Sequence, residues 1–213
     1  MKTITAVSKN SLLLGVFAAL TTTLIAWTYL GTKVAIANAQ REAEAKQLLE
    51  IFPEQTHDNA LIDDTFIVAA NQSLLNVREE KRAYRARLGE AVVGVILPAT
   101  ARDGYSGDIG LLVGVHRDGR IAGVRVTSHR ETPGLGDAID TNKSNWIASF
   151  QGHSLVDPDV TGWRVRKDGG IFDQFTGATI TPRAVVVATR KVLEYVELNH
   201  SILFPEPVKP EAS

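Results

Sequence analysis

The stretch Ile109-Gly110-Leu111-Leu112-Val113-Gly114-Val115-His116-Arg117-Asp118-Gly119-Arg120-Ile121-Ala122-Gly123-Val124-Arg125-Val126-Thr127-Ser128-His129 carries the clearest structural signal in the chain. Two apolar-rich runs flank Asp118-Gly119, the dipeptide best suited to a two-residue type I′ hairpin turn. A turn at that pair makes Leu111, Val113 and Val115 face Val126, Val124 and Ala122 on one buried side. Gly114 then stands opposite Gly123 on the other face, where the missing side chains let another segment approach the backbone closely. Residues 65–70 and 91–97 are further β-favouring runs. Together they predict an α+β fold: one compact domain over residues 60–204 with an antiparallel sheet and flanking helices.

Toward the C-terminus, Val185, Val186, Ala188, Thr189, Val192, Leu193 and Val196 recur at helical spacing and predict a packed helix over 183–198. Thr181 fits its N-cap and Pro182 its first helical position. Residues 205–213, with Pro205, Pro207 and Pro210, read as a disordered tail.

Toward the N-terminus, residues 10–32 are 23 consecutive positions without a formal charge, bounded by Lys9 and Lys33. A helix of that length, at about 1.5 Å per residue, spans a hydrocarbon core about 30 Å thick. Trp27 and Tyr29 fall near one interface. Ala37-Asn38-Ala39 has the form of a signal-peptide cleavage site, but the uncharged run exceeds an h-region of about 7–15 residues and ends well before that site. The reading is a membrane anchor. Lys2, Lys9 and the α-amino group precede it without any acid, whereas Lys33 and Arg41 are soon joined by Glu42 and Glu44. Residues 1–9 are therefore expected in the cytoplasm, with the rest exported. Residues 33–59 read as a helical stalk, its helix over 34–52 supported by the Glu42 to Lys46 spacing and stopped by Pro53.

Composition narrows the chemistry. The 213 residues hold 23 Lys plus Arg against 24 Asp plus Glu, which argues against nucleic acid as a partner. The absence of cysteine removes disulfides, iron-sulfur clusters, thiolate zinc sites and covalent haem, so a redox centre must be held without sulfur. His57, His116, His129, His153 and His200 show no metal-ligand spacing. Trp146 and Trp163 read as core aromatics, and spacing selects neither as a cofactor neighbour.

One segment stands out chemically: Phe175-Thr176-Gly177-Ala178-Thr179-Ile180-Thr181, just ahead of the C-terminal helix. Gly177 permits a tight turn, Ala178 adds no bulk, and Thr179 offers a hydroxyl beside the free N–H groups of a helix start, a favourable place for an anion. A plain turn and cap fits the same residues. A second loop, Glu131-Thr132-Pro133-Gly134-Leu135-Gly136, pairs a rigid proline with permissive glycines and suits either a turn or a loop that presents backbone groups to a ligand.

Asp173-Gln174-Phe175-Thr176-Gly177-Ala178-Thr179-Ile180-Thr181 resembles the flavinylation motif of the FMN-binding domain family, with Thr176 where serine is usual. Gly104-Tyr105-Ser106-Gly107-Asp108-Ile109 and the 131–136 loop resemble two further segments of that family. The order of anchor, domain and motifs is similar to the G-subunit family of the ion-translocating Rnf (Rsx) electron transport complexes. The resemblance implies FMN bound covalently to Thr179 through a phosphoester, attached by a separate flavin transferase that takes FMN from FAD. It implies a cofactor site of Thr176, Gly177, Ala178, Thr179, Thr181, Glu131, Thr132, Gly134, Leu135 and Asp173, with Leu135 on a ring face and Arg183 near the phosphate. It further implies a bacterial inner-membrane protein with a periplasmic FMN domain. Its partners would be the other Rnf/Rsx subunits, its complex would couple electron transfer between NADH and ferredoxin to ion movement, and it would not be a stand-alone enzyme. An exported assembly or ligand-binding module without flavin is the alternative. A flavin-dependent reductase is weaker, because no acid-base pair is recognisable.

Overall fold

The computed structural model describes residues 2–206. The anchor and residues 33–51 of the expected stalk form one uninterrupted helix, α1 (Lys2–Ile51), of 50 residues. From Ser8 onward it is long and apolar enough to cross a membrane, and none of its most apolar window is buried inside the protein. A core helix of a soluble domain would bury that surface. Its threonine hydroxyls donate to carbonyls one turn back, Thr21 to Phe17 at 2.9 Å, Thr23 to Ala19 at 2.7 Å and Thr32 to Thr28 at 2.8 Å. Such internal bonds satisfy these hydroxyls without a partner from the lipid.

The end of α1 behaves differently. Leu48, Ile51 and Phe52 are buried in a compact unit that begins at Ala45. The packed domain therefore takes in residues that the expected boundary at 60 leaves on the stalk. These side chains form one apolar cluster with Leu61, Tyr84, Ala86, Ile96, Leu112 and Ala122 on one face of the sheet.

That sheet is an antiparallel meander of β1 (Thr65–Val68), β2 (Lys81–Leu88), β3 (Ala91–Gly104), β4 (Gly107–His116) and β5 (Ile121–Ser128), in spatial order β1-β2-β3-β4-β5. The 91–97 run is thus the first half of a much longer strand. The opposite face of the sheet carries α2 (Ile180–Leu198), which packs against β3 and β4. Val185, Val186, Ala188, Thr189, Val192, Leu193 and Val196 are all buried there. A short helix α3 (His200–Leu203) closes the domain. Phe204 is buried, Pro205 and Glu206 of the expected tail are exposed, and the tail from residue 207 lies outside the described residues.

The β4–β5 hairpin keeps the expected register at its centre and departs from it at the tip. Leu111 pairs with Val126, Val113 with Val124 and Gly114 with Gly123. Val115, however, pairs with Ile121 rather than Ala122. The loop has three residues, Arg117-Asp118-Gly119, closed by the His116 N–H donating to the Arg120 carbonyl at 2.8 Å. A type I′ turn needs positive φ at both central residues, and Asn76 is the only described non-glycine residue with positive φ. Gly119, at φ +83°, takes the left-handed position alone. One irregularity between Gly114 and Val115 then restores the register.

Between β5 and α2 the chain is irregular, with short 3₁₀ turns at Gly136–Ile139, Trp146–Phe150 and Arg166–Asp168. It is held by an aromatic cluster in which Phe150 stacks on Phe172 at 4.6 Å and Trp163 lies 5.2 Å from Phe172.

Candidate functional site

Three separate segments meet around one carboxylate. Glu131, after β5, is 4% exposed. Its Oε1 accepts the Ser106 N–H at 2.9 Å, which fixes the β3–β4 turn. Its Oε2 accepts the Thr181 hydroxyl at 2.5 Å, which fixes the start of α2. Its own N–H donates to His129 Nδ1 at 3.2 Å. The glycines around it are there for room. A Cβ on Gly136 would lie 2.8 Å from both Glu131 Oε2 and Thr181 Oγ1, and one on Gly104 would lie 3.0 Å from Glu131 Oε1.

Thr181 is consequently not the N-cap. The helix begins at Ile180, Thr179 holds the N-cap position without a side-chain capping bond, and Pro182 sits inside the first turn. Proline is tolerated there because its N–H would lack an intrahelical partner anyway. The segment before the helix turns through Thr176-Gly177, with the Ala178 N–H donating to the Phe175 carbonyl at 3.1 Å and Gly177 at φ +80°. A type II turn requires positive φ at its third residue, which glycine supplies without strain.

These pieces enclose a cleft of about 350 Å³, lined by Tyr105, Glu131, Thr132, Leu135, Gly136, Gly177, Ala178, Thr179, Ile180 and Thr181. Seven of the ten site residues named from sequence line it. Thr176 is exposed beside the turn and does not line the cleft. Gly134 is exposed and does not line the cleft; it sits at φ +75° with its N–H held by Asp137 Oδ1 at 2.8 Å. Asp173 is directed elsewhere, its carboxylate 3.1 Å from Arg166 Nε. Arg183 does not stand free for a phosphate, since its guanidinium grips Asp168 at 2.7 and 3.0 Å. That hydrogen bond holds the Asp168 carboxyl below its ordinary range and raises Arg183. Gly136, Ile180 and Tyr105, which stood in the sequence only as members of their motifs, line the cleft as well.

The chemistry of the lining suits a flavin mononucleotide. The first-turn amides of α2 and the positive end of its dipole favour a phosphate. The Thr179 hydroxyl is free of capping duty at the rim. Leu135, Ile180 and Tyr105, between 44% and 69% exposed, offer apolar surface to a planar ring system. A cavity of similar size around His57, Leu49 and Leu61 has no such helix start. Among the described residues no cluster of three or more His, Asp or Glu could hold a metal.

Comparison with known proteins is decisive. Residues 104–194 match the FMN-binding domain family and residues 1–51 the RnfG N-terminal region. The chain is 50% identical over 199 residues to the G subunit of the ion-translocating oxidoreductase complex from Pseudomonas aeruginosa (strain UCBPP-PA14), covering 93% of this chain and 92% of that protein. Its identity to the protein of the same name from Vibrio cholerae serotype O1 (strain ATCC 39541) is 42% over 204 residues, or 96% and 97% of the two chains. The Pseudoalteromonas atlantica protein of that name is 44% identical over 199 residues, covering 93% and 92%. The chain belongs to the G-subunit family of ion-translocating oxidoreductase complexes. Its FMN-binding domain holds the whole cleft, since every lining residue falls within 104–194.

Proposed function

We propose that this protein relays electrons within a membrane complex through FMN bound covalently to Thr179. The observation that carries the reading is the place of Thr179, at the N-cap of α2 and the rim of the cleft, with a hydroxyl that makes no capping bond. When bound, FMN supplies the electron-carrying chemistry. The protein supplies the rest. The α2 amides neutralise the phosphodiester, and Glu131 holds the cleft walls through Ser106 and Thr181. Leu135, Ile180 and Tyr105 would offer their apolar surface to the ring. In the attachment, the Thr179 hydroxyl would give up its proton to solvent and its oxygen would bond to the FMN phosphorus of FAD, while the pyrophosphate linkage breaks and AMP leaves. A flavin transferase performs this step, and the other subunits of the complex deliver and remove the electrons. Residues 1–9 lie on the cytoplasmic side and the domain on the periplasmic side of the inner membrane. A single helix provides no ion path of its own.

Mass spectrometry of protein coexpressed with the transferase tests the assignment. The peptide containing Thr179 gains the mass of FMN less water, Thr179→Ser retains part of the flavin, and Thr179→Ala retains none. Because the hydroxyl caps nothing, Thr179→Ala should change stability by less than about 0.5 kcal/mol. An unmodified Thr179 peptide, or normal covalent flavin in Thr179→Ala, overturns the assignment.

A further inference from the structure

Trp146 lies outside the cleft, in contact with the segment that leads into one of its walls and linked through Ser144 to the loop that forms the other. Its indole N–H donates to the Asp173 carbonyl at 2.8 Å, at the head of the segment that leads to Thr179. Its ring meets Phe175 edge-on at 5.1 Å, in the turn just before Thr179. On the other side it meets buried Phe150 edge-on at 5.3 Å. Its backbone N–H donates to Ser144 Oγ at 3.1 Å, and that hydroxyl donates to the Ala138 carbonyl at 2.6 Å. Ala138 belongs to the 3₁₀ turn that continues the Glu131 loop. One residue thus ties the 131–139 wall to the 173–179 wall.

Besides Trp146, the 173–179 segment is held by half-buried Phe175, which packs against the core, and by contacts at the surface. Thr176 and Gly177 are exposed. The turn's internal bond, Ala178 to Phe175, fixes its shape but not its place. The Arg166–Asp173 pair is solvent-exposed and so holds weakly. Gln174 Oε1 accepts the Lys167 N–H at 3.2 Å, also in an exposed setting. Trp146 is the tie that combines a directed hydrogen bond with aromatic packing onto the core.

We propose that Trp146 is a positioning residue that holds the acceptor segment in register, so that the Thr179 hydroxyl is presented to the flavin donor. The proposal rests on the reading of Thr179 as the attachment point. Group transfer is sensitive to displacements of about 1 Å, and a turn released from its tie spends much of its time elsewhere.

The test uses the full chain, expressed without transferase, purified in detergent, and then incubated with purified transferase, FAD and Mg²⁺. The readout is the rate at which the Thr179 peptide gains mass. Trp146→Phe keeps an aromatic ring but removes the N–H donor together with the pyrrole part of the indole. It should slow transfer about fivefold at saturating FAD, the equivalent of one such hydrogen bond. Trp163→Phe makes the same chemical change in the core, where the indole N–H donates to the Ser154 carbonyl at 3.0 Å. Its transfer rate should stay within about twofold of wild type if only the local tie matters. Hydrogen exchange of the unflavinylated chain gives a second readout, with amides 174–179 exchanging faster in Trp146→Phe and unchanged in Trp163→Phe. An unchanged transfer rate in Trp146→Phe, or equal slowing in Trp163→Phe, overturns the proposal. If the wild-type chain gains no mass at Thr179, the attachment reading fails instead, and unchanged exchange in Trp146→Phe then removes the tie as well.

Discussion

Glu131 explains why three motifs distant in sequence occur in one chain. Its two oxygens accept from Ser106 in the first and Thr181 in the third, and Gly136 of its own loop packs against both acceptor and donor. Removing the carboxylate leaves the buried Thr181 hydroxyl and the Ser106 N–H without their partner. Each such orphan costs about 1–3 kcal/mol. Glu131→Ala should therefore lower stability by about 2–4 kcal/mol and widen the cleft, while Glu131→Gln, which keeps an acceptor oxygen, should lose less. Urea unfolding followed by tryptophan fluorescence measures both. Equal losses for the two variants would show that the hydrogen bonds are not what Glu131 contributes. The resemblance placed Glu131 near the flavin, but a linear string does not reveal that both of its oxygens are already engaged, nor that Arg183 is committed to Asp168.

At the scale of elements, the three glycines Gly94, Gly114 and Gly123 make a shallow pit in the sheet, and the end of α1 fills it. A Cβ on Gly114 would lie 2.1 Å from Ile51 Cγ2, and one on Gly94 would lie 2.2 Å from Phe52 Cζ. Overpacking of this kind costs about 1–3 kcal/mol, so Gly114→Ala should be destabilising by that amount. The cost should shrink in an Ile51→Ala background, where the colliding methyl group is gone. Denaturation of the four chains of this cycle checks the coupling, and an identical cost in both backgrounds would mean that helix and sheet do not interlock there. The Gly114–Gly123 pairing and its need for a close neighbour were legible in sequence, but the identity of the neighbour was not, because α1 is separated from β4 by the first three strands. β2 was illegible for another reason. Its buried positions are mainly small, Ala83 and Ala86, and its arginines hide the alternation by pairing with Asp64, Arg87 at 2.5 Å and Arg85 at 3.7 Å. The α2 stripe and the threonine turn were plain, since both follow from local spacing and turn chemistry.

At the scale of the whole molecule, the direction in which α1 crosses the membrane decides which partners the flavin can meet. Charge bias acts through short flanks, while long segments translocate largely regardless of their charge. The segment after Lys33 is 180 residues long, with 20 basic and 24 acidic side chains. It is too long for its lysines and arginines to govern the outcome. The nine-residue flank before the span, with Lys2, Lys9 and no acid, is the part that the rule weighs. It should hold the N-terminus in the cytoplasm and send the domain outward. Protease added to intact spheroplasts should then digest the domain and leave a fragment bearing an N-terminal epitope tag. Replacing Lys2 and Lys9 by glutamine should leave a fraction of chains protected, because the retained flank has lost its side-chain charge. A domain that resists external protease in intact spheroplasts and is cut only after lysis would place the flavin on the cytoplasmic side, and the electron donors and acceptors proposed for it would have to lie on that side as well.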